Sequence, residues 1–191
     1  MRAFVAIDLD EPIRRKVAAL QDALRRRAGK LSWVAPDHLH LTIKFLGEIE
    51  ASHATTLCAA LNRIAARAEP FDILLRGVGV FPPRGLARVL WVGVEPVITQ
   101  TMDPLLGLHR ACEDELAELG FARESRPFSP HLTLARNKTS IDRDLRRSLE
   151  QAADFLAGPQ RVSAITFYES QLRSNGPTHR SISTHRLAAA L

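Results

Sequence analysis

Two short stretches of the chain carry the same pair of chemical groups, an imidazole and a hydroxyl. One stretch is His38–Phe45 and the other is Ser129–Arg136, and each contains His-Leu-Thr followed by an aliphatic residue. Alternating polar and apolar residues, with β-branched residues among them, predict a strand in both places. Two residues apart on a strand, a histidine and a threonine point the same way, roughly 6.5–7 Å from each other. The side chains concerned are His40, Thr42, His131 and Thr133.

Two histidines that face each other can divide the work of acid–base catalysis. Imidazole titrates near neutral pH, so one ring can be neutral while the other carries a proton. Threonine hydroxyls can donate hydrogen bonds to the non-bridging oxygens of a phosphate held between the rings. One ring would take a proton from water, and the other would give a proton to the departing sugar oxygen. Such a site would hydrolyse a phosphodiester without a metal and without a covalent intermediate.

The surrounding elements predict how the two stretches are positioned. Apolar runs of strand length alternate with amphipathic segments of helical spacing, such as the one that begins at Glu11, and the order in the first half of the chain recurs in the second. This pattern predicts an α+β fold made by internal duplication, a single bilobal domain over residues 1–191 with one motif in each lobe. We expect two lobes related by an approximate two-fold axis. Each is an antiparallel sheet with helices on its outer face, and the active-site cleft lies between them.

Composition and charge limit the class of protein. Of the 191 residues, 46% are hydrophobic, which is enough for a substantial core, and the net charge of +5 suits an anionic partner such as RNA or a phosphate ester. The two cysteines, Cys58 and Cys112, are far apart and suggest neither a disulfide framework nor a zinc site. The sequence enters a strand directly, and no apolar run approaches the length of a membrane span. We therefore expect a cytoplasmic protein, not associated with a membrane, and a monomer.

The motifs and their flanking residues resemble the two-histidine phosphoesterase superfamily, which is defined by two His-x-Thr-x motifs. Within it, the chain is most similar to the RNA 2′,3′-cyclic phosphodiesterases, long described as 2′-5′ RNA ligases. A single motif is common by chance, whereas two copies with these flanks and in this order are a specific signal. The resemblance covers nearly the whole chain, and the stretches that carry it are Arg2–Ile7, Trp33–Pro36, His40–Glu48, Arg88–Val94, Arg126–Arg136 and Tyr168–Ser170.

This resemblance implies hydrolysis of a terminal 2′,3′-cyclic phosphate to a 2′-phosphate, and a weak, reversible 2′-5′ joining of RNA. We assign His131 as the base that acts on water and His40 as the acid toward the 3′ oxygen. Thr42 and Thr133 would bind the phosphate, and no cofactor or metal is called for. Arg136 matches the basic residue that follows the family's second motif. By strict alternation it lies on the opposite face from His131, so it reaches the cleft only through a bulge or at the end of the strand.

Other residues near the motifs have more than one interpretation. Lys44 shares the predicted polar face with His40 and either helps to bind RNA or is simply solvated. Tyr168 is a candidate for the wall of the cleft. Core packing is favoured over base stacking for three aromatic residues: Phe45, Trp91 and Phe128. Three further histidines are expected outside the site itself: His38 at the surface or the cleft edge, and His179 and His185 as exposed strand residues.

Two rival functions remain open at this point. The pattern His38-x-His40 can supply two ligands to a metal, as in a metal hydrolase, but no nearby carboxylate or cysteine supplies a convincing third. A non-catalytic RNA-binding protein would keep the cleft and the basic charge, but the intact His and Thr of both motifs argue against it. Among phosphodiesterases, a small cyclic nucleotide or a 2′-5′ oligonucleotide is an alternative substrate to RNA with a cyclic phosphate end.

Overall fold

The computed structural model describes residues 1–27, 31–97, 103–137, 143–173 and 176–188. The strands are β1 (Arg2–Asp8), β2 (Ser32–Trp33), β3 (His40–Glu48), β4 (Phe71–Phe81), β5 (Val89–Pro96), β6 (His131–Arg136), β7 (Leu156–Val162), β8 (Ala164–Arg173) and β9 (Gly176–Arg186). The helices are α1 (Glu11–Arg25), α2 (Ala54–Arg67), α3 (Pro104–Ala117) and α4 (Arg143–Gln151), with 3₁₀ turns at Pro36–His38 and Ala51–His53. None of the helices within these described ranges is long and apolar enough to cross a membrane.

The strands form an antiparallel sheet in the order β7-β4-β5-β6-β3-β1-β8-β9, with β2 alongside β6. Its centre is nearly divided, because in the described part of the chain β3 and β6 pair through Leu41 and Leu132 alone. The division leaves two lobes of four strands, β3-β1-β8-β9 and β6-β5-β4-β7. The strand positions of one lobe repeat those of the other about the centre. The predicted α+β class and two-lobed architecture are therefore confirmed.

The two lobes do not follow the order of the chain. Strand β8 returns to pair with β1, where Phe4 lies opposite Tyr168, and β9 pairs with β8, so both ends of the chain build the lobe that carries the first motif. The middle of the chain builds the other lobe. Helix α1 also crosses over, because it follows β1 but packs on β7, whereas α2 follows β3 and packs on β8 and β9 of the same lobe. The expectation that each half of the chain forms its own unit is wrong, because long-range pairing of β1 with β8 was invisible in the local pattern.

The hydrophobic core lies between the helices and one face of the sheet. In α1, the apolar side chains at helical spacing are buried: Ile13, Val17, Leu20 and Leu24. Gln21 extends from the same helix to donate a hydrogen bond to the backbone oxygen of Leu134 in β6, at 3.0 Å. Burial of one such aliphatic side chain contributes roughly 1.5–3 kcal/mol. Because the helices cover only this face, the opposite face at the centre of the sheet stays open, and the motif side chains point there.

Candidate active site

The two motif strands lie side by side at the centre of the sheet. Leu41 of β3 pairs with Leu132 of β6, and both side chains are buried in the core. Since successive side chains on a strand point to opposite faces, the residues that flank this pair point to the open face. These flanking residues are half-buried, and they are His40, Thr42, His131 and Thr133.

The antiparallel direction of β3 and β6 decides which of these groups are neighbours. Continued by one residue, the register at Leu41 and Leu132 places His40 across from Thr133. It places Thr42 across from His131 in the same way. The structure therefore brings the four predicted residues together as two crossed His–Thr pairs on one surface.

Both imidazoles are held by the same backbone contact. Nδ1 of His40 is 2.8 Å from the backbone oxygen of His38, and Nδ1 of His131 is 2.7 Å from that of Ser129. A carbonyl oxygen can only accept a hydrogen bond, so Nδ1 of each ring must carry a proton. The free lone pair of each neutral ring is then on Nε2. In His40 this Nε2 is 3.1 Å from the hydroxyl oxygen of Thr42.

The surroundings of the rings lower both pKa values. Burial is the main cause for His40 and for His131, because it disfavours the charged imidazolium. The hydrogen bond from Nδ1 to the backbone opposes this effect in each case, and the charge of Asp8 also opposes it at His40. The charge of Arg136 lowers the pKa of both rings, so its guanidinium lies within electrostatic range of both.

A bulge in β6 brings Arg136 to the open face. Trp91 of β5 pairs with Thr133 and Leu90 pairs with Ala135, so Leu134 is an extra residue without a partner in the ladder. Leu134 and Ala135 are both buried, and Arg136 after them is exposed. The bulge reverses the alternation at this point. The sequence predicted that Arg136 would reach the cleft only through such a bulge or at the end of the strand.

A matching bulge occurs in β3. Ala6 of β1 pairs with Thr42 and Val5 pairs with Lys44, which leaves Ile43 as the extra residue. The side chains of Ile43 and Lys44 are both buried, as are their counterparts in β6. The faces of Lys44 and Phe45 are therefore exchanged relative to simple alternation, and a second register shift follows between Phe45 and Gly47.

This bulge overturns the predictions for Lys44 and Phe45. Lys44 is only 4% exposed, and its Nζ lies 2.8 Å from Glu113 Oε2 and 2.9 Å from the backbone oxygen of Ala122. Lys44 is therefore neither solvated nor on the face of His40. Phe45 is 65% exposed on the open face, so it does not pack in the core.

An aromatic stack supports His40 from behind. The ring of Phe4 stacks on His40 at 4.7 Å between centroids and on Tyr168 at 5.2 Å. The Tyr168 hydroxyl donates to Asp8 Oδ1 at 2.6 Å, and Thr166 donates to Asp8 Oδ2 at 2.7 Å. Burial and the contact with Asp8 raise the pKa of Tyr168, which stays a phenol at neutral pH. Tyr168 lines the cavity beside His40, as one interpretation of the sequence proposed.

The other histidines differ from expectation. His179 is not an exposed strand residue: its ring is 5.2 Å from His40 and 5.1 Å from His38, and it lines the same cavity. His185 is buried, with Nδ1 2.6 Å from Asn62 Oδ1 and Nε2 2.8 Å from Ser183 Oγ. Nothing in the local sequence distinguishes these two positions, because each depends on what the β8–β9 hairpin packs against.

The rival interpretation of His38 and His40 as metal ligands gains no full ligand set in the described ranges. His38 lies in the 3₁₀ turn before β3 and contacts His40 through its backbone oxygen. Among the described residues, no group of three or more His, Cys, Asp or Glu side chains is arranged to hold a metal ion.

On the side of His131, aromatic residues line the open face of the second lobe. Phe81 packs edge-on against His131 at 4.9 Å and lies 5.1 Å from Trp91. Trp91 is paired with Thr133, so it shares the open face and does not pack in the core as predicted. Its indole lies directly over Gly79, where an added Cβ would be 2.2 Å from Cζ2. Phe128, in contrast, packs against the core and stacks on His109, as the favoured interpretation stated.

Each of the two pseudo-symmetric lobes presents an imidazole held through Nδ1 and, two residues later, a hydroxyl. Arg136 lies near both rings. These features define a phosphoesterase of the two-histidine class. Comparison with known proteins gives the family. The chain belongs to the family described as LigT like Phosphoesterase, whose model matches residues 7–91 and 96–179. The resemblance stated from the motifs is thereby confirmed.

Individual relatives are similar to this protein over almost the full length of the chain. It is 34% identical to a protein of Methanothermobacter thermautotrophicus named RNA 2′,3′-cyclic phosphodiesterase, over 98% of this chain and 99% of the relative. A crystal structure of a protein from Thermus thermophilus is similar with a TM-score of 0.84 and 29% identity, covering 99% of both chains. The crystal structure of E. coli LigT complexed with 3′-AMP has a TM-score of 0.74 and 27% identity, covering 97% of both chains.

Proposed function

We propose that this protein is an RNA 2′,3′-cyclic phosphodiesterase that hydrolyses a terminal 2′,3′-cyclic phosphate to a 2′-phosphate with two histidines and no metal. The observation that carries the proposal is the crossed arrangement of His40, Thr133, Thr42 and His131 around Leu41 and Leu132. A phosphate held over this patch would have an imidazole and a hydroxyl on each side. The name of the Methanothermobacter thermautotrophicus relative supports the choice of substrate.

The proposed reaction moves two protons. His131 Nε2 takes a proton from water, whose oxygen attacks phosphorus. The bond from phosphorus to the 3′ oxygen breaks, His40 gives that oxygen a proton, and the phosphate remains on the 2′ oxygen. Thr42 and Thr133 donate hydrogen bonds to the non-bridging oxygens, and the guanidinium of Arg136 stabilises their charge. Each proton transfer contributes roughly 10²–10⁴-fold to the rate.

The charges near the rings support this division of roles. Asp8 favours the protonated form of His40, against the larger effect of burial, which suits a proton donor. Among the described residues, the side-chain charge that acts on His131 is that of Arg136, which favours the neutral ring and suits a proton acceptor. With a 5′-hydroxyl in place of water, the same pair would form a 2′-5′ linkage, so reversible ligation is part of the proposal.

The test is turnover of a short RNA that ends in a 2′,3′-cyclic phosphate, in excess EDTA. We expect wild type to give a 2′-phosphate, and His40→Ala and His131→Ala each to lose at least about 10²-fold in kcat/KM. His53→Ala, at an exposed histidine in the 3₁₀ turn before α2, is the matched control and should keep full activity. A wild type that is silent in EDTA and active with added metal would overturn the two-histidine mechanism. Turnover limited to small cyclic nucleotides would overturn the assignment of RNA as substrate.

Sulfur in place of the 3′ oxygen separates the two roles. A thiolate leaves without protonation, so this substrate should restore much of the activity of His40→Ala and none of that of His131→Ala. If the sulfur substrate instead restored the activity of His131→Ala, then His131 would be the proton donor and His40 the proton acceptor.

We also propose that the protein is a cytoplasmic monomer. Both cysteines are free thiols, Cys58 half-buried and Cys112 buried, and burial raises the pKa of Cys112 to about 12. Thiols kept in this way suit a reducing compartment. Light scattering should give a mass near that of one chain, 21.2 kDa.

A further inference from the structure

A cavity of about 250 Å³ opens beside His40, on the side away from His131's aromatic neighbours. The proposed function uses one edge of this cavity, the ring of His40, and leaves the rest unassigned. The polar groups that line it are two carboxylates, three imidazoles, a phenol and a hydroxyl: Asp8, Asp37, His38, His40, His179, Tyr168 and Ser181.

The charges around the cavity are unfavourable for a phosphate. Asp8 and Asp37 bring two carboxylates to its wall. The nearby imidazole of His179 does not compensate, because burial, followed by the charges of His40 and His38, lowers its pKa to about 4 and leaves it neutral at pH 7. Coulomb repulsion therefore keeps the RNA backbone out of this cavity and on the side of Arg136. What fits is an uncharged group with hydrogen-bond donors.

The carboxylates of Asp8 and Asp37 differ in whether other residues already use them as hydrogen-bond acceptors. Both oxygens of Asp8 already accept hydrogen bonds, from Tyr168 and Thr166, so Asp8 holds the tyrosine wall in place. Asp37 is exposed in the 3₁₀ turn before β3 and makes no hydrogen bond or ion pair with any other residue that the structure describes. His179 adds a buried Nδ1 that has no partner within the same described ranges. The cavity thus has a free carboxylate acceptor at its rim and an unpaired ring nitrogen in its wall.

We propose that this cavity holds the base of the terminal nucleotide and that Asp37 accepts a hydrogen bond from its exocyclic amino group. The inference rests on the proposed function, which puts the 3′ oxygen of the terminal ribose against His40 and so directs its base into the adjoining cavity. The rings of Tyr168 and His179 supply flat walls for a base. A carboxylate accepts from the amino group of cytosine, whereas the carbonyl oxygen at that position in uracil is repelled. The enzyme should therefore prefer a terminal cytosine to a terminal uracil.

The experiment compares two short RNAs with cyclic phosphate ends that differ only in the last base, cytosine or uracil. Wild type should favour cytosine in kcat/KM by about tenfold, the lower end of the usual discrimination by a base-edge hydrogen bond. Asp37→Asn can donate to the uracil oxygen and should bring the ratio close to one. Asp22→Asn, at an exposed carboxylate on α1 that pairs with Arg25, is the matched control and should keep the wild-type ratio.

Inhibition by the products supplies a readout that does not depend on chemistry. The 2′-phosphate of cytidine should inhibit wild type about tenfold more strongly than that of uridine, and Asp37→Asn should remove this difference. Equal turnover of both RNAs by wild type, or the same ratio in Asp37→Asn as in wild type, overturns the base site and leaves the proposed function intact. Absence of turnover with both RNAs overturns the proposed function itself, and the base site with it.

Discussion

Phe45 and Arg136 occupy equivalent positions in the two lobes, each five residues after its motif histidine and each turned to the open face by a bulge. The extra residues, Ile43 and Leu134, are also equivalent, and both are buried. At the same place in a pseudo-symmetric frame, one lobe therefore presents an aromatic ring and the other a cation.

Replacement of Phe45 tests whether its exposed ring contacts the substrate. Because Phe45 is 65% exposed, Phe45→Ala should change the free energy of unfolding by less than about 0.5 kcal/mol. Loss of base–aromatic stacking, worth roughly 1–3 kcal/mol, should lower kcat/KM for cyclic-phosphate RNA by about tenfold. Leu156→Ala, 59% exposed on the edge strand β7, is the control and should leave kcat/KM unchanged. Equal activity in both variants would mean that Phe45 makes no contact with RNA.

Replacement of Arg136 should move the pH profile in a defined direction. Burial is the main cause of the lowered pKa of His40 and His131, and the charge of Arg136 lowers both further. Arg136→Gln removes this charge, so both pKa values should rise and the acid limb of kcat/KM should shift to higher pH. NMR titration of the histidines measures the same shift directly. Arg136→Lys keeps the charge and should keep the limb in place while it weakens phosphate binding. An unmoved limb in Arg136→Gln would show that the guanidinium does not act on the rings of His40 and His131.

The sequence was sufficient for the features that depend on near neighbours. His40 with Thr42, and His131 with Thr133, share a face because they are two residues apart on a strand and both bulges fall after the threonine. Lys44 and Phe45 were misplaced because a bulge is set by the register with β1, which local alternation does not reveal. One extra residue, Ile43, then exchanged the faces of Lys44 and Phe45.

The remainder of the site depends on long-range topology. Asp8, Tyr168 and His179 come from β1, β8 and β9, and they meet because β8 returns to pair with β1. No periodicity connects these positions in the sequence. The cavity beside His40 was therefore not predictable, because the sequence lists the residues that line it but does not show that they meet.

The buried pair of Lys44 and Glu113 should contribute to stability and not to RNA binding. Lys44→Met leaves the carboxylate of Glu113 buried without its partner, which costs roughly 3–5 kcal/mol. Urea unfolding should show this loss, while KM for RNA in the folded protein stays unchanged. The double variant with Glu113→Met should recover most of the loss, because it removes both charges. A change in KM without a loss of stability would restore the original interpretation of Lys44 as an RNA contact.

Gly79 should be required for the position of Trp91 beside Thr133. A Cβ at Gly79 would be 2.2 Å from the indole, so Gly79→Ala must displace the ring, at roughly 1–3 kcal/mol for overpacking. We expect altered tryptophan fluorescence and a lower kcat/KM. In the control Gly107→Ala, the new methyl group on α3 meets no atom within 4 Å and should stabilise the protein by roughly 0.5–1 kcal/mol. Unchanged fluorescence in Gly79→Ala would contradict the packing described for Trp91.

His179 should make the protein less stable in mild acid. Burial is the main cause that lowers its pKa to about 4, whereas the unfolded chain has the ordinary value near 6.5. Between these values the unfolded state binds more protons, so the free energy of unfolding falls as the pH drops from 6.5 toward 4, and His40 and His131 act in the same direction. Carboxylates with lowered pKa values, such as Glu124 beside Arg126, lose their contribution only near and below pH 4.5.

The interval from about pH 6.5 to about pH 5 therefore isolates the histidines. Urea unfolding across it should show a smaller loss of stability in His179→Gln than in wild type, because the glutamine does not titrate. His53→Gln, at an exposed histidine, should follow the wild-type curve. A wild-type stability that is constant over this interval, or an identical slope in His179→Gln, would contradict a neutral, buried His179. That result would also remove one support for the base site, since a protonated His179 would add positive charge to a cavity that we describe as repelling phosphate.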